Sequence, residues 1–324
     1  MKLGEIEITP LAAESMGVRS LCTKVVTPDL SIIFDPSAAL SRRFGLEPHP
    51  LEYKALMSAM KRIHSEVKQA DMLSISHYHF DHVRPGFKNC LYNLSTRDER
   101  RHMFLHKRVL AKDNREMINP SQRRRAYYFI KDVRDSVEEI RWIDGKTLEF
   151  GSTVLIHTPP VPHGERGTPL GFVICTLVSH GDHRFLFAPD VQGPVDRDTL
   201  NMFLSFRPDI AIVGGPPTYL NRFSEESRQS ALFSLVRLAS TVRTLVVDHH
   251  ITRDGMWEEW MEPVRNASER ARNRLMTMAH LAGEDNRCLE SNRRRLYEED
   301  PPPTEFMDWC NATTEFKTEN LPPL

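Results

Sequence analysis

The chain has few cysteines and no long apolar run. Five cysteines occur among 324 residues, and no two of them form a Cys-x-x-Cys pair. An odd number without that spacing argues against a disulfide framework and favours the reducing cytoplasm. No apolar stretch approaches the ~18–20 residues of a membrane-spanning helix, and glutamates interrupt the first 14 positions. We therefore expect a cytoplasmic protein with no membrane span and no secretory signal.

The chain also lacks a dominant charge and internal repeats. Lysines and arginines number 43 against 44 acidic residues, which gives a formal net charge of -1. This balance excludes a role in which the whole chain coats DNA, although it is compatible with a local basic patch. With 40% hydrophobic and 27% charged residues, the composition excludes fibrous or disordered architectures for most of the chain.

Length and a shift in composition define the expected domains. A chain of 324 residues corresponds to one large domain or two smaller ones. We expect a single domain over residues 1–300 and an acidic, proline-rich C-terminal tail over residues 301–324. Such a tail is typically a solvated extension or a strap that lies on the domain surface.

The order of the predicted elements indicates the fold class. Strand-like runs in hairpins come first, and strands that alternate with helices follow. This order favours an α/β fold in which helices cover two packed sheets, rather than one doubly wound sheet. The apolar run 71–76 predicts a buried strand, and the pattern over 256–281 predicts one long amphipathic helix.

The most informative segment is His-Tyr-His-Phe-Asp-His at 77–82, directly after the predicted strand. In an extended stretch, residues i and i+2 project to the same side, so His77 and His79 can bind one metal ion together. Asp81 and His82 follow where the chain can curl and present them to a second ion. Imidazole and carboxylate suit zinc, iron or manganese. A histidine-rich surface loop is the alternative, but three histidines and an aspartate within six residues favour a metal site.

Three further predicted strands end at metal-binding side chains. His163 and Asp190 each lie in the loop that follows a strand, and the pair His249 and His250 follows another. A carboxylate such as Asp190 can bridge two cations with its two oxygens. The sequence leaves open which histidine of the pair is the ligand. The repetition of such residues at four strand ends predicts a dinuclear metal site.

These motifs resemble those of the metallo-β-lactamase superfamily, whose His-x-His-x-Asp-His motif matches residues 77–82 at every position. The resemblance covers about residues 1–300 and implies an αβ/βα four-layer sandwich, in which two mixed sheets carry helices on their outer faces. Asp35, His163, Asp190 and one of the two adjacent histidines resemble its other motifs. More narrowly, five stretches resemble a poorly characterised family of metal-dependent hydrolases within it, namely 14–20, 48–50, 190–194, 214–220 and 248–250.

The resemblance also implies a set of ligands and a mechanism. Two divalent ions, zinc or alternatively iron or manganese, would lower the pKa of a shared water and so produce a nucleophile. By analogy, His249 is the last ligand, His250 is a rim residue able to donate a proton, and Asp35 supports a ligand imidazole. We predict Asp81 and His250 as catalytic residues. The implied ligands are His77, His79 and His163 for one ion, Asp81, His82 and His249 for the other, and Asp190 for both.

Three classes of function are compatible with this site. The first is hydrolysis of a phosphodiester, perhaps in nucleic acid, because segment 97–134 carries twelve basic and five acidic residues that could attract phosphate. The second is hydrolysis of a small-molecule ester, lactone, thioester or amide. The third is a di-iron redox protein or a metal-binding protein without turnover, although redox members of the superfamily carry glutamate where this chain has His79. The segment 214–219 is expected to line the mouth of the site.

Overall fold

The computed structural model describes all residues, 1–324. Its N-terminal half contains a seven-stranded mixed sheet in which sequential strands are neighbours throughout. The first four strands pair antiparallel, and the fourth to seventh pair parallel. These strands are β1 (Lys2–Leu3), β2 (Ile6–Ala13), β3 (Leu21–Val26), β4 (Ser31–Phe34), β5 (Met72–Ile75), β6 (Arg108–Ala111) and β7 (Glu139–Trp142).

The second half contains another seven-stranded mixed sheet and a separate two-stranded ribbon. The strands of this half are β8 (Thr147–Phe150), β9 (Thr153–His157), β10 (Val161–Pro162), β11 (Phe172–Val173), β12 (Thr176–His180), β13 (His183–Ala188), β14 (Ile210–Gly214), β15 (Thr244–Asp248) and β16 (Arg274–Met276). The sheet order is β16-β15-β14-β13-β12-β9-β8, and β10 pairs with β11. Strands β13 to β16 run parallel, so their carboxyl ends lie at one edge.

Eleven α-helices accompany the sheets, and local sequence explains where the longer ones begin. The first helix starts at Pro50, which needs no amide partner at that position, and the side chains of His49 and Glu52 form a reciprocal cap. The helices are α1 (Pro50–Gln69), α2 (Arg97–Phe104), α3 (Pro120–Val133), α4 (Arg197–Phe206), α5 (Glu225–Thr241), α6 (Trp257–Trp260), α7 (Glu262–Arg270), α8 (Met278–Ala282), α9 (Arg293–Glu299), α10 (Thr304–Asn311) and α11 (Thr314–Glu319).

Three hydrophobic clusters show how the layers pack. Alternate residues of a strand point to opposite faces. Ile32 and Phe34 of β4 therefore belong to the cluster between the two sheets, whereas Ile33 packs under α1 to α3. Phe34 stacks on Phe187 of β13 with ring centroids 4.9 Å apart. The third cluster joins the other sheet to α4, α5 and α7. The predicted four-layer sandwich, with helices outside two mixed sheets, is confirmed.

The predicted helix over 256–281 is wrong. The structure divides this stretch into α6, α7, β16 and α8. Arg272 adopts a positive φ of 58°, which an α-helix cannot continue through. Residues after it pair with β15 as a parallel edge strand. Tertiary pairing with the sheet thus overrides an amphipathic pattern.

The C-terminal segment packs on the domain through two short helices, α10 and α11. Phe306 is fully buried and Trp309 is 5% exposed in the cluster under α1. Both rings lie edge-on to Tyr53, at centroid distances of 6.0 and 5.8 Å. The segment is therefore a strap with its own core contacts. The domain boundary at residue 300 stays a prediction. Across the whole structure, every helix is too short or too polar to span a bilayer.

Candidate metal centre

The seven predicted ligands meet at the carboxyl ends of strands from both sheets. His77 follows β5 by two residues, and Asp190 follows β13 by two residues. His163 follows the short strand β10, and His249 directly follows β15. Parallel strands bring their carboxyl ends together, and in open α/β sheets that edge is where ligands bind. The two sheets therefore face each other with their ligand-bearing ends adjacent.

One group of side chains comprises His77, His79, His163 and Asp190, whose ligand atoms all lie within 4.8 Å of one another. His77 Nε2 is 3.0 Å from His79 Nδ1 and 3.0 Å from Asp190 Oδ2. His163 Nε2 lies 3.8 Å from the same carboxylate oxygen. Tetrahedral zinc with bonds of ~2.0–2.1 Å places ligand atoms about 3.3 Å apart. The spacing of this group suits one such ion.

A second group comprises Asp81, His82 and His249. His82 Nε2 and His249 Nε2 are 3.4 Å apart, and Asp81 Oδ2 lies 4.0 and 3.7 Å from them. Asp190 reaches this group too, because its Oδ2 is 2.7 Å from His82 Nε2 and its Oδ1 is 3.0 Å from His249 Nε2. Asp190 thus lies between the two groups and contacts both, and its role as a shared ligand stays a prediction.

Unpartnered polar atoms test whether the residues fit a metal. Both carboxylate oxygens of Asp190 and both ring nitrogens of His163 are buried without a hydrogen bond. The contacts of Asp190 with imidazole nitrogens are short, yet none has hydrogen-bond geometry. A buried carboxylate without partners is costly. Donor atoms that converge on a common point, rather than on each other, are what a bound cation requires.

The electrostatics of the cluster favour cations. Burial alone would raise the pKa of the Asp190 carboxyl, but His82 and His249 hold it well below its ordinary value. Burial lowers the pKa of His163 to about 4, and burial together with His77 also lowers the pKa of His79. These two imidazoles are therefore neutral at physiological pH, as metal ligation requires, whereas carboxylates outweigh burial and raise the pKa of His82 and His249 in the second group. The Asp190 carboxylate is ionised at physiological pH and can therefore bind a cation.

Asp35 and Ser76 orient two of the imidazoles. Asp35 Oδ2 lies 2.8 Å from His82 Nδ1, so the Nε2 of that ring is directed at Asp190. Ser76 donates its backbone N–H and its hydroxyl to the two carboxylate oxygens of Asp35, at 2.8 and 2.6 Å. Ser76 Oγ also lies 2.9 Å from His77 Nδ1. The Asp35 carboxylate thus fixes the orientation of the His82 ring, and its role in supporting a metal ligand stays a prediction.

Two acidic residues beside His249 were not identified from the sequence as site residues. Glu14 Oε1 lies 3.4 Å from His249 Nδ1 and also binds the guanidinium of Arg253. Asp248 accepts hydrogen bonds from the backbone N–H groups of His249 and Met278. Glu14 and Asp248 both lie in stretches that carry the family resemblance, which was the available signal. Glu14 contacts Arg253, which is more than 200 residues away in the sequence. No local pattern reveals such a contact.

Three residues of the site have a strained backbone. Ten residues other than glycine have positive φ, and Asp35, Asp190 and His249 are among them, with φ of 49°, 49° and 66°. Such conformations persist only where the surrounding structure determines them, and they cluster at functional sites. A methyl group at Gly214 would lie 2.5 Å from the backbone nitrogen of Asp190. The end of β14 therefore requires glycine so that Asp190 can approach.

His250 occupies a different position from His249. Its Nε2 is 3.1 Å from Asp190 Oδ1, and His250 forms a group of possible ligands with Asp190 and His249, although not with Asp81 and His82. Its side chain is 11% exposed, whereas that of His249 is fully buried. His250 also lines the cavity above the cluster. Geometry thus places one histidine inside the second group and the other at the rim, and their functional roles stay predictions.

A cavity of about 660 Å³ opens over the clustered histidines and aspartates. His79, Asp81, His163 and His250 form part of its wall. Tyr219, from the predicted mouth segment, also lines it and accepts a hydrogen bond of 3.2 Å from Arg253. The volume suits a small molecule or one unit of a polymer.

Segment 97–134 forms α2, β6 and α3, and the structure separates its arginine triplet. Arg125 is half-buried and lines the cavity over the site, with its guanidinium 4.5 Å from the ring centroid of Phe80. Arg124 is exposed beside a second cavity, and Arg123 is exposed with its guanidinium on the carbonyl of Arg115. Only part of the basic segment therefore faces the candidate site.

Two packed mixed sheets with helices outside, and histidines and aspartates clustered where the sheets adjoin, define an α/β sandwich with side chains able to hold metal ions. No family model matches the chain. A UPF0282 protein of Pyrobaculum neutrophilum is 38% identical over 297 residues, which cover 91% of this chain and 96% of the relative. A UPF0282 protein of Thermococcus gammatolerans is 35% identical over 294 residues, with coverage of 90% and 95%. The chain belongs to the UPF0282 family.

Solved structures show more distant similarity. A CmlA beta-hydroxylase matches with a TM-score of 0.47 and 12% identity, over 86% of this chain and 53% of that one. Yeast PDE1 matches with a TM-score of 0.46 and 11% identity, over 85% and 97% of the two chains. At this level of similarity neither structure bears on the activity of this chain.

Proposed function

We propose that the protein is a metal-dependent hydrolase that binds two divalent ions and cleaves phosphodiester or related ester bonds. The observation that carries the proposal is Asp190, a fully enclosed carboxylate between two groups of imidazoles, with both oxygens unpartnered. A carboxylate between two sets of donors can bridge two cations with its two oxygens, as in a dinuclear centre. Zinc is the expected metal, and iron or manganese accept the same donors.

Each residue has a defined task in this proposal. When bound, such ions lower the pKa of a water toward neutrality and stabilise a developing oxyanion. The two groups of side chains hold the ions, and Asp35 keeps His82 in the orientation that exposes its Nε2. Asp81 contributes its carboxylate to the second group. His250 lines the cavity at the rim of the cluster and is the candidate proton donor to the leaving group, although burial and His249 lower the pKa of its imidazole.

The walls of the cavity favour an anionic substrate. Arg125 and Arg222 line it, and neither forms an ion pair with a carboxylate. Arg253 also lines it, but its charge is compensated by Glu14. Arginine recognises phosphate oxygens through a planar set of donors. Two guanidinium groups without an ion pair, against the carboxylates of Asp81 and Glu165 in the same wall, favour a phosphodiester over a neutral ester.

Elemental analysis of the native protein and a panel of activated substrates test the proposal. We expect about two metal ions per chain and hydrolysis of bis-(p-nitrophenyl) phosphate. The variant Asp190→Asn removes the shared charge and should lower both metal content and rate, the rate by at least about 100-fold. Asp182→Asn, in the exposed turn between β12 and β13, is the matched control. Full metal content and full activity in Asp190→Asn would contradict the proposal.

A second candidate, hydrolysis of a small ester, lactone, thioester or amide, is favoured by the size of the cavity. Its volume of about 660 Å³ falls within the range of small-molecule sites. The same panel distinguishes the two. Esterase or lactonase activity without phosphodiesterase activity would establish the second candidate. Iron with a visible absorption band and no hydrolysis of any substrate would instead indicate a redox protein.

A further inference from the structure

A second cavity adjoins the one over the metal-binding side chains. It has a volume of about 640 Å³ and lies along α2, α3 and the loop that follows the histidine motif. Phe80 and Arg125 line both cavities, so the two meet at this pair. The loop residue Phe80 directly follows His79 in the sequence. A ligand that extends beyond the metal cleft at this side therefore enters the second cavity.

The second cavity carries a strong positive charge. Its lining includes five arginines and lysines and one carboxylate, Asp132. Asp132 compensates Arg97 and Arg100, which both bind it. Arg124 and Lys131 are exposed on α3 and form no ion pair. Positive charge in excess of local carboxylates attracts phosphate groups.

Aromatic rings alternate with these cations. Phe87 is 46% exposed and Tyr128 is 50% exposed, and both line the second cavity. Phe87 packs edge-on against Phe80, with ring centroids 5.5 Å apart. Arg125 lies over the other ring of that pair, 4.5 Å from the centroid of Phe80. Large rings left half in solvent provide faces on which a planar group can stack.

We propose that this second cavity binds single-stranded nucleic acid next to the bond that is cleaved. Phosphates would contact Arg124, Arg125 and Lys131, and bases would stack on Phe87 and Tyr128. Cationic side chains that follow a backbone and rings that accept bases of any sequence are the features of single-strand binding. A duplex keeps its bases stacked on each other and cannot use the rings. The inference deepens the proposed function, because the strand continues into the metal cleft.

Two double variants separate charge from stacking. Binding of a short fluorescent phosphorothioate single strand, which resists hydrolysis, is measured by anisotropy over a range of salt concentrations. Arg124→Glu with Lys131→Glu should weaken binding at least tenfold and reduce the salt slope by about 1.4, since each phosphate contact contributes about 0.7. Phe87→Leu with Tyr128→Leu keeps apolar bulk but removes the rings, and should weaken binding at least about 30-fold, since each stacked base contributes about 1–3 kcal/mol.

Matched controls make the result specific. Arg237→Glu with Arg265→Glu reverses two exposed charges on α5 and α7 and should bind as the native protein does. Neither test variant should change hydrolysis of bis-(p-nitrophenyl) phosphate, because that substrate is too short to reach the second cavity. A duplex that binds as tightly as the single strand would overturn the inference. The inference would also be overturned if inorganic polyphosphate competed as well as the single strand does and the Phe87→Leu, Tyr128→Leu variant bound the strand as tightly as the native protein.

Failure of the inference and failure of the proposed function are distinguishable. Hydrolysis of the small phosphodiester without single-strand binding would overturn the role of the second cavity and leave the hydrolase intact. Binding of the strand, sensitive to both double variants, with no hydrolysis of any substrate would support the cavity and contradict the hydrolase.

Discussion

His249 and His250 are adjacent in sequence but differ in what they contact. His249 lies in one group with Asp81 and His82, whereas His250 contacts only Asp190 among the acidic residues. Burial lowers the pKa of His249, but Asp190 and Glu14 outweigh it and raise that pKa to about 9. A histidine enclosed by carboxylates occupies a position that favours a cation.

This difference predicts opposite effects of two alanine variants. His249→Ala removes a donor from the second group and should reduce the metal content from about two ions per chain to about one. His250→Ala should keep both ions and lower the turnover number, because the rim residue acts on the substrate. Elemental analysis and steady-state kinetics of both variants test this. Unchanged metal content in His249→Ala, with loss of metal in His250→Ala, would reverse the assignment.

At the scale of elements, an ion-pair cluster ties the segment before α9 to the start of β3. Glu290 accepts two hydrogen bonds from Arg19, both at 2.6 Å, and lies 3.6 Å from Arg43. Burial alone would raise the pKa of Glu290, but Arg19 and other arginines lower it from 4.5 to about 2. A carboxyl with a depressed pKa stabilises the fold above its unfolded pKa, and that stability is lost as pH falls through the folded value.

We therefore expect Glu290→Gln to lower the free energy of unfolding by about 3 kcal/mol at pH 7, from a pKa difference of roughly 2.5 units at 1.36 kcal/mol each. The difference in the free energy of unfolding between this variant and the native protein should disappear as the pH falls from about 4.5 to about 2. Chemical denaturation across this pH range measures it. Glu298→Gln, at an exposed position of α9 with no ion pair, is the control. A difference in the free energy of unfolding that does not change with pH would show that the ion pairs of Glu290 do not cause it.

Strand and helix predictions succeeded where local pattern and tertiary packing agree. The strand before the histidine motif was expected at 71–76 and is found at Met72–Ile75, since its apolar run is buried on both faces. The helix expected over 256–281 failed because the edge of a sheet was available to residues 274–276. An unpaired sheet edge recruits backbone groups regardless of side-chain periodicity.

At the scale of the whole molecule, the C-terminal segment completes the layer of helices over the N-terminal sheet. Phe306 and Trp309 bury their rings against Tyr53. Lys317 also forms a buried ion pair of 2.6 Å with Glu47. The strap thus contributes to the main core rather than only covering its surface.

The packing of the strap predicts a cost for truncating its anchor. Phe306→Ala removes a fully buried ring and should lower the free energy of unfolding by about 3–5 kcal/mol. Phe316→Ala, at a ring that is 50% exposed, should change it by less than about 0.5 kcal/mol. Urea denaturation compares the two. Equal, small effects of both variants would show that the strap is detached in solution.

The sequence by itself predicted two packed sheets covered by helices, from the order of its strands and helices, and a possible metal-binding motif, from the spacing of its histidines. Spacing of two within an extended chain aligns His77 with His79, and alternating apolar residues assign strand faces. Only the tertiary structure decided which side chains surround the site. Glu14 reaches His249, and Arg125 faces the cleft while Arg123 does not. Such contacts join residues far apart in the chain, and they exist only once two sheets pack face to face.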